Sequence, residues 1–171
     1  MFSIIVAIDQ NRGIGINNDM PWKIKKDFKF FTDTTTGNNP DKKNAVIMGR
    51  KTWESIPKHH RPLSNRLNIV LSRQKNLNLP EGVLYFSSFD RALAELDKRD
   101  DIGEVFNIGG GRLFAETINH PDCKKIYITK VLATYPCDTF FPAIPPEFKK
   151  TSESEVNEEN GIKFKFVVFE K

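Results

Sequence analysis

Asp27 is the residue whose type and position in this chain most directly predict chemistry. Apolar side chains recur at Ile24, Phe28 and Phe31, the spacing expected of one face of a helix. Asp27 falls at the edge of that stripe, where burying an ionised carboxylate is costly unless a partner stabilises it. The position fits a solvated helix edge or a salt bridge, and it equally fits a carboxylate that lines an apolar pocket and binds a hydrogen-bonding ligand.

Two predicted strand ends carry cations in positions suited to phosphate. The first strand runs into the segment Gly49–Thr52, where Arg50 and Lys51 flank a predicted helix start with free backbone N–H groups. The second strand ends in Ser72 and Arg73. A cation at that position suits the additional phosphate of NADP better than the free ribose hydroxyl of NAD. The alternative for the first is a solvated basic turn, and the alternative for the second is a strand that simply ends in Arg.

A third strand end contains Gly109, Gly110 and Gly111 directly before a predicted helix. Glycine lets the backbone approach a pyrophosphate closely and adopt φ values that other residues avoid. Neither this run nor Gly13-Ile14-Gly15 is a GxGxxG motif, which would itself be weak evidence. Together the three strand ends predict a site for a phosphorylated dinucleotide, most simply NADP.

Alternation of strand-like and helix-like segments indicates the fold that positions these residues. The predicted strands are Phe2–Ile8, Ala45–Met48, Asn68–Ser72, Val83–Phe86, Glu104–Ile108 and Lys125–Lys130. The predicted helices are Ile24–Thr35, a turn around Thr52–Ile56, Phe89–Arg99 with Ser88 as N-cap, and Arg112–Ile118. This order predicts an α/β fold with a central, mostly parallel twisted sheet and helices on both faces.

Other segments interrupt or extend that pattern. Alternating residues over Ile162–Phe169 predict an antiparallel C-terminal strand in an edge hairpin. The loops Asp9–Trp22 and Gly37–Asn44 are long for a domain of this size, which favours a functional role.

Composition limits the classes of protein to consider. The 171 residues fit one domain spanning 1–171, and the net charge of +4 comes from scattered Lys and Arg, which is weak evidence for nucleic-acid binding. Two isolated cysteines without metal-ligand spacing predict no disulfide framework and no metal. The apolar N-terminal run is too short for a membrane span or a signal peptide, so we expect a cytoplasmic protein.

The order and spacing of these motifs resemble the dihydrofolate reductase family over nearly the whole chain, especially its eukaryotic members. The motifs that carry the resemblance are Ile5-Val6-Ala7, Met20-Pro21-Trp22, Asp27-Phe28 with Phe31, Val46–Trp53, Arg61-Pro62-Leu63 with Arg66, Leu71-Ser72-Arg73, Ile108–Gly111, Thr129 and Asp138–Pro142. The resemblance implies that family's fold, reduction of 7,8-dihydrofolate to tetrahydrofolate by hydride transfer from NADPH, binding of folate analogues, and a monomer that needs neither nucleic acid nor a membrane.

The resemblance also implies roles at the substrate. Asp27 is expected to accept hydrogen bonds from the pterin, with Thr129 bracing it and Trp22 holding a water. Met20 completes the catalytic set. Arg66 is expected to bind the glutamate α-carboxylate, for which a planar guanidinium is well shaped. The other implied substrate contacts are Ile5, Val6, Phe28, Phe31, Ile56, Leu63 and Ile108. No side chain is an obvious proton donor to N5 of the substrate, so solvent is expected to supply that proton.

On the cofactor side, the resemblance places the Asp9–Trp22 loop over the nicotinamide and a cis peptide at Gly109-Gly110. The implied contacts are Ala7, Ile14, Gly15, Gly49, Arg50, Lys51, Thr52, Leu71, Ser72, Arg73, Ser88, Ile108, Gly109, Gly110, Gly111, Arg112, Leu113 and Phe114. Phe114 stands where many members have Tyr, and His60 where eukaryotic members commonly have Asn, so neither is given a polar role.

Three alternatives remain open to the sequence. A riboflavin-pathway reductase would share the fold and NADPH, but it lacks the combination of Pro21-Trp22 with a pocket Asp27. A nucleic-acid-binding module would need basic and aromatic residues gathered on one face. An inactive relative would need a broken site position, and none is identified.

Overall fold

The apolar runs of the sequence form a nine-stranded mixed sheet in the computed structural model, which describes all residues from 1 to 171. The strands are β1 (Phe2–Ile8), β2 (Gly13–Gly15), β3 (Lys43–Gly49), β4 (Arg66–Leu71), β5 (Leu84–Phe86), β6 (Ile102–Asn107), β7 (Cys123–Val131), β8 (Thr139–Phe140), β9 (Lys149–Glu153), β10 (Asn157–Glu159) and β11 (Ile162–Glu170). The helices are α1 (Lys25–Thr36), α2 (Arg50–Ser55), α3 (Phe89–Leu96) and α4 (Gly111–Thr117), with one 3-10 turn at Lys58–His60.

The sheet order is β10-β11-β7-β1-β6-β3-β4-β5. Every pair from β7 to β5 is parallel, and β11 runs antiparallel to β7. The predicted mostly parallel sheet with an antiparallel C-terminal strand is therefore confirmed. The predicted edge hairpin is also confirmed, because β11 forms an antiparallel hairpin with β10, and β9 pairs with the same outer edge of β11. The short strands β9 and β10 therefore cover that edge.

Helices lie on both faces of the sheet, as predicted, because strand residues alternate between two apolar clusters. On one face, Ile4 and Val6 of β1 pack with α3 and α4. On the other face, Ile5 packs with Trp53 of α2, and Phe31 of α1 contacts the same cluster.

The chain's path brings several strand ends together. From β1 the chain passes to β3, β4 and β5 on one side, and it then returns through β6 to β7 on the other. The carboxyl ends of β1, β6 and β3 consequently meet, which is where ligands bind in open α/β sheets. The Ile108 N–H donates to Ile47 O at 2.9 Å, and the Gly49 N–H donates to Gly109 O at 2.7 Å across this junction.

Residues 9–22 are more ordered than a plain loop. Strand β2 pairs with β8 in a separate two-stranded ribbon, and Ile16 bridges to Asp19 around a turn. The sequence pattern did not predict this ribbon, because three glycine-rich residues lack the periodicity of a strand. The ribbon ties the segment to residues more than 120 positions later. We refer to residues 9–22 as the 9–22 loop.

Candidate active site

The centre of the site is a hydrogen bond between Asp27 on α1 and Thr129 on β7. The Thr129 hydroxyl donates to Asp27 Oδ1 at 2.6 Å, and both residues are buried. Burial raises the pKa of the Asp27 carboxyl above its usual 3.8, and the hydrogen bond from Thr129 partly opposes that rise. Thr129 lies in register with Ala7 of β1, which places the pair near the carboxyl ends of the central strands.

Asp27 lies on the buried face of α1, whereas the sequence pattern predicted a position at the edge of the apolar stripe. Ile24 is buried directly before the helix, and Asp27 and Thr35 are the buried residues within it. Phe28, which the pattern assigned to the apolar stripe, is 48% exposed. Residues 24, 27 and 35 are buried and Phe31 packs against the core, and this spacing of three or four residues also fits a helical period.

Glu159 holds the start of α1 from another part of the chain. Ile24, at the N-cap, has no side chain that can accept a hydrogen bond, and the Glu159 carboxylate accepts from Lys25 N at 2.6 Å and Lys26 N at 3.2 Å. An acceptor here satisfies free N–H groups and complements the helix dipole. Sequence reasoning missed this contact. Its only local signal is Asn160-Gly161, a typical hairpin turn that presents the residue before it.

Trp22 is buried at the end of the 9–22 loop, 2% exposed, with its ring 5.3 Å from that of Tyr135. Its indole N–H is the one buried side-chain polar atom that finds no acceptor within the protein. Such a group calls for an external hydrogen-bond acceptor. Met20, two residues earlier, is half-buried.

The predicted apolar substrate contacts largely share one wall. Ile5 belongs to the cluster on the α1 and α2 face, and four half-buried side chains pack against it: Phe31, Ile56, Leu63 and Ile108. Val6 departs from the prediction. Its side chain belongs to the opposite face, because successive strand residues point in opposite directions, so only its backbone can contribute.

Arg66 is a buried guanidinium without an acidic partner. Its Nε donates to Ser64 O at 2.9 Å and one Nη donates to Thr35 Oγ1 at 2.8 Å, while the group lies 5.8 Å from the Phe31 ring centre. It takes part in no salt bridge. Burial lowers the pKa of the Arg66 guanidinium below its ordinary value. A buried cation satisfied only by neutral oxygens favours an anionic ligand.

The triple glycine forms the floor beside these groups. The Gly109-Gly110 peptide is cis, as predicted, and Gly109 has φ +100°, a conformation that favours glycine. A Cβ on Gly109 would lie 2.7 Å from the Phe114 ring, and one on Gly111 would lie 2.6 Å from Thr139 Cγ2 and 3.5 Å from Ile14 Cδ1. The lack of side chains therefore brings the ribbon and the start of α4 into close contact.

The predicted phosphate-binding cations surround two uncapped helix starts. Neither α2 nor α4 has a side chain capping its first turn. Arg50 pairs with Glu54, and Arg112 pairs with Glu116, each at 2.7 Å on the surface. Exposed pairs of this kind contribute little, so either Arg can turn to an anion. Lys51 and Arg73 are exposed and in no salt bridge.

Several other predicted cofactor contacts are already occupied within the fold. The Ser88 hydroxyl caps α3 by accepting from Arg91 N at 3.4 Å, as its N-cap assignment predicted. Ser72 Oγ accepts from Gln74 N at 3.0 Å. Leu113 and Phe114 are buried in the core on the α3 and α4 face. A cofactor could contact these two only through their backbone.

No three His, Cys, Asp or Glu side chains gather as a possible metal site. None of the helices combines the length and apolar character needed to cross a bilayer.

Comparisons with known proteins agree with the motifs and with this geometry. The model of the family described as dihydrofolate reductase matches residues 1–171. Dihydrofolate reductase of Drosophila melanogaster is 42% identical over 177 residues, covering 99% of this chain and 97% of the relative. That of Sus scrofa is 42% identical over 179 residues, covering 98% and 96%. Bifunctional dihydrofolate reductase-thymidylate synthase 1 of Arabidopsis thaliana is 43% identical over 175 residues, covering 98% of this chain and 34% of the relative.

Proposed function

The chain belongs to the dihydrofolate reductase family and reduces dihydrofolate to tetrahydrofolate, and from that premise we propose how its own residues serve the reaction. The observation that carries the proposal is the buried Asp27 carboxylate, which only Thr129 satisfies. Asp27 accepts hydrogen bonds from N3 and the 2-amino group of the pterin. These donors stabilise the charged carboxylate that burial disfavours.

The apolar wall on the α1 and α2 face holds the rest of the substrate. Phe31, Ile56 and Leu63 contact the pterin and benzoyl rings, and the exposed side of Phe28 closes over them. Backbone groups of Ile5, Val6 and Ile108 line the inner edge of the pterin. Arg66 binds the glutamate α-carboxylate. The buried guanidinium, which otherwise donates only to neutral oxygens, thereby gains a negatively charged partner of matching planar geometry.

Proton supply to substrate N5 comes from solvent, with Asp27 biasing the charge distribution of the pterin. Support comes from the buried Trp22 N–H, which can donate to a water at the edge of the site. Met20 and Trp22, at the end of the 9–22 loop, restrict further water from the reacting atoms.

NADPH is the proposed hydride donor. Bound NADPH supplies the hydride, and the chain holds the cofactor at the carboxyl ends of β1, β3, β4 and β6. The residues fit such a group, because the glycine floor leaves room for backbone contact and the helix starts of α2 and α4 are uncapped. Ala7, Ile14 and Gly15 offer backbone groups to the nicotinamide carboxamide. The rest of the cofactor is lined by backbone groups of Gly49, Leu71, Leu113 and Phe114 and by the polar side chains of Arg50, Lys51, Thr52 and Arg112.

Specificity for NADPH over NADH is assigned to Arg73, with Ser72. Arg73 is exposed, takes part in no salt bridge and lies two residues after the end of β4, and its charge suits a 2′-phosphate. We further propose that residues 1–171 act as one domain, as a cytoplasmic monomer that needs neither nucleic acid nor a membrane.

The experiment follows the loss of NADPH absorbance when protein and dihydrofolate are mixed, with NADH as the comparison. Wild-type protein is expected to turn over and to prefer NADPH. Arg73→Gln should lower kcat/KM for NADPH about 10- to 100-fold, with little change for NADH, since one charge-assisted contact is lost. Lys75→Gln removes the same charge two residues away and should leave the preference intact. Absence of turnover would overturn the assigned roles, and an unchanged preference in Arg73→Gln would overturn the 2′-phosphate contact.

A further inference from the structure

Asp9 is a buried carboxylate that the proposed chemistry does not use. It is 1% exposed, three backbone N–H groups donate to its carboxylate, and the Cys137 thiol lies 4.0 Å from Oδ2, within hydrogen-bond distance for sulfur. Oδ1 accepts from Asn11 N at 2.8 Å and from Gly13 N at 2.7 Å, and Oδ2 accepts from Tyr135 N at 2.9 Å. One side chain therefore joins the beginning of the 9–22 loop to a segment 126 residues further along the chain.

Both groups of donors lead to the active site. Gly13 begins the β2 strand that carries Ile14 and Gly15, which we assign to the nicotinamide. Tyr135 packs its ring against Trp22, with ring centres 5.3 Å apart. Asp9 is thus linked through Gly13 to the nicotinamide-binding residues and through Tyr135 to Trp22 at the other end of the loop.

The packing around Asp9 leaves little room for adjustment. A Cβ on Gly13 would lie 2.5 Å from Cys137 Sγ and 3.0 Å from Asp9 Oδ2. Neighbouring bonds, from Gln10 N to Ala133 O and from Asp138 N to Gly15 O, join the same two segments but use only backbone atoms. Loss of the carboxylate would leave three N–H groups without an acceptor, so the segments have to separate to admit water.

We propose that Asp9 is a positioning residue for dihydrofolate reduction, which sets the placement of Gly13–Gly15 and of Trp22 without contacting substrate or cofactor. This inference rests on the proposed function, because it assumes that the 9–22 loop orients the nicotinamide. Misplacement of reacting groups by about 1 Å can slow a reaction roughly 100-fold, so the expected effect is on the hydride step as well as on folding.

The test uses Asp9→Asn, which keeps the shape and one acceptor oxygen but directs an NH2 group at a backbone N–H. Its single-turnover hydride rate with NADPH is expected to fall about 10- to 100-fold, and its KM for NADPH to rise. The matched control is Asn44→Ala. Asn44 Oδ1 accepts from Glu104 N at 2.8 Å at the opposite end of the sheet, so its loss should lower the melting temperature and leave the hydride rate unchanged.

A spectroscopic measurement separates positioning from stability alone. Protein labelled with 5-fluorotryptophan has two fluorine signals, from Trp22 and Trp53, which Trp53→Phe assigns. In folded Asp9→Asn, the Trp22 signal should shift while the Trp53 signal stays. A lower melting temperature with a wild-type hydride rate and an unmoved Trp22 signal would overturn the proposal. Failure of wild-type protein to oxidise NADPH would instead overturn the proposed function.

Discussion

Replacement of Asp27 by Asn should reduce activity and at the same time stabilise the ligand-free protein. Asn presents one acceptor oxygen and one donor group to the two pterin donors. One charge-assisted hydrogen bond, worth about 1.5–3 kcal/mol, is lost, and the other becomes a neutral bond worth about 1 kcal/mol less. The sum, roughly 2.5–4 kcal/mol, corresponds to about a 10²- to 10³-fold loss of turnover near neutral pH.

The same change removes a buried charge. Thr129 is the only hydrogen-bond partner of the Asp27 carboxylate, and its hydroxyl can donate equally to an Asn oxygen. Ligand-free Asp27→Asn should therefore be more stable than wild type at neutral pH, on the order of 1–3 kcal/mol. For a chain of this length, each kcal/mol raises the melting temperature by about 2–4 °C.

The stability difference should depend on pH with a defined sign. Because burial raises the folded-state pKa of Asp27 above 3.8, the unfolded chain releases its proton first as pH rises. Asp27 therefore favours folding at low pH, and that contribution is lost as pH rises from 3.8 through its folded-state pKa. The melting temperature of Asp27→Asn should approach that of wild type at low pH and exceed it most at high pH.

Two assays check this prediction: single-turnover hydride transfer across pH, and melting temperatures of the ligand-free proteins across pH. Asp33→Asn is the matched control, because Asp33 lies on the same helix but pairs with Lys29 in solvent at 2.5 Å. It should change stability by no more than about 0.5 kcal/mol and leave turnover unchanged. Normal neutral-pH turnover in Asp27→Asn, or a lower melting temperature than wild type at high pH, would refute the reasoning.

Three further predictions concern the groups around Asp27. Arg66→Leu should raise KM for dihydrofolate at least about 10-fold but leave KM unchanged for dihydropteroate, which lacks the glutamate; equal effects would exclude the carboxylate contact. Gly109→Ala should prevent soluble folding, because of its φ and its contact with Phe114, whereas Gly82→Ala, with φ +82° in open space, should cost about 1–2 kcal/mol in denaturant titration. Glu159→Ala should cost about 0.5–2 kcal/mol by the same titration, and no loss would show that the cap on α1 is dispensable.

Local patterns in the chain predicted most of the central architecture. The strands β1, β3, β4, β6 and β7 and all four helices appear within a few residues of their predicted bounds, because each depends on spacing and turn residues inside one short segment. The short strands β2, β8, β9 and β10 were not predicted. They are held by partners elsewhere in the chain and have little apolar pattern of their own.

The structure agrees with part of the geometry that the motif resemblance implied for the site. Two features agree with the motif resemblance: the hydrogen bond between Thr129 and Asp27, and the cis peptide at Gly109-Gly110. The face that Val6 presents and the exposure of Phe28 did not follow from it. Each depends on how an element is rotated against the sheet, which a list of motif residues does not contain.

By itself, the sequence determined the chemistry available to this protein, which is a carboxylate among apolar residues and cations and glycines at strand ends. It also determined, through the spacing of apolar residues, whether each group lies on a helix or a strand. Only the tertiary structure decided that Asp9 and Glu159 hold the backbone of distant segments and that Arg66 is buried without an acidic partner. These facts join residues 31 to 134 positions apart. Which distant groups meet is fixed by the packing of the whole chain, because no local spacing encodes the register between separate elements.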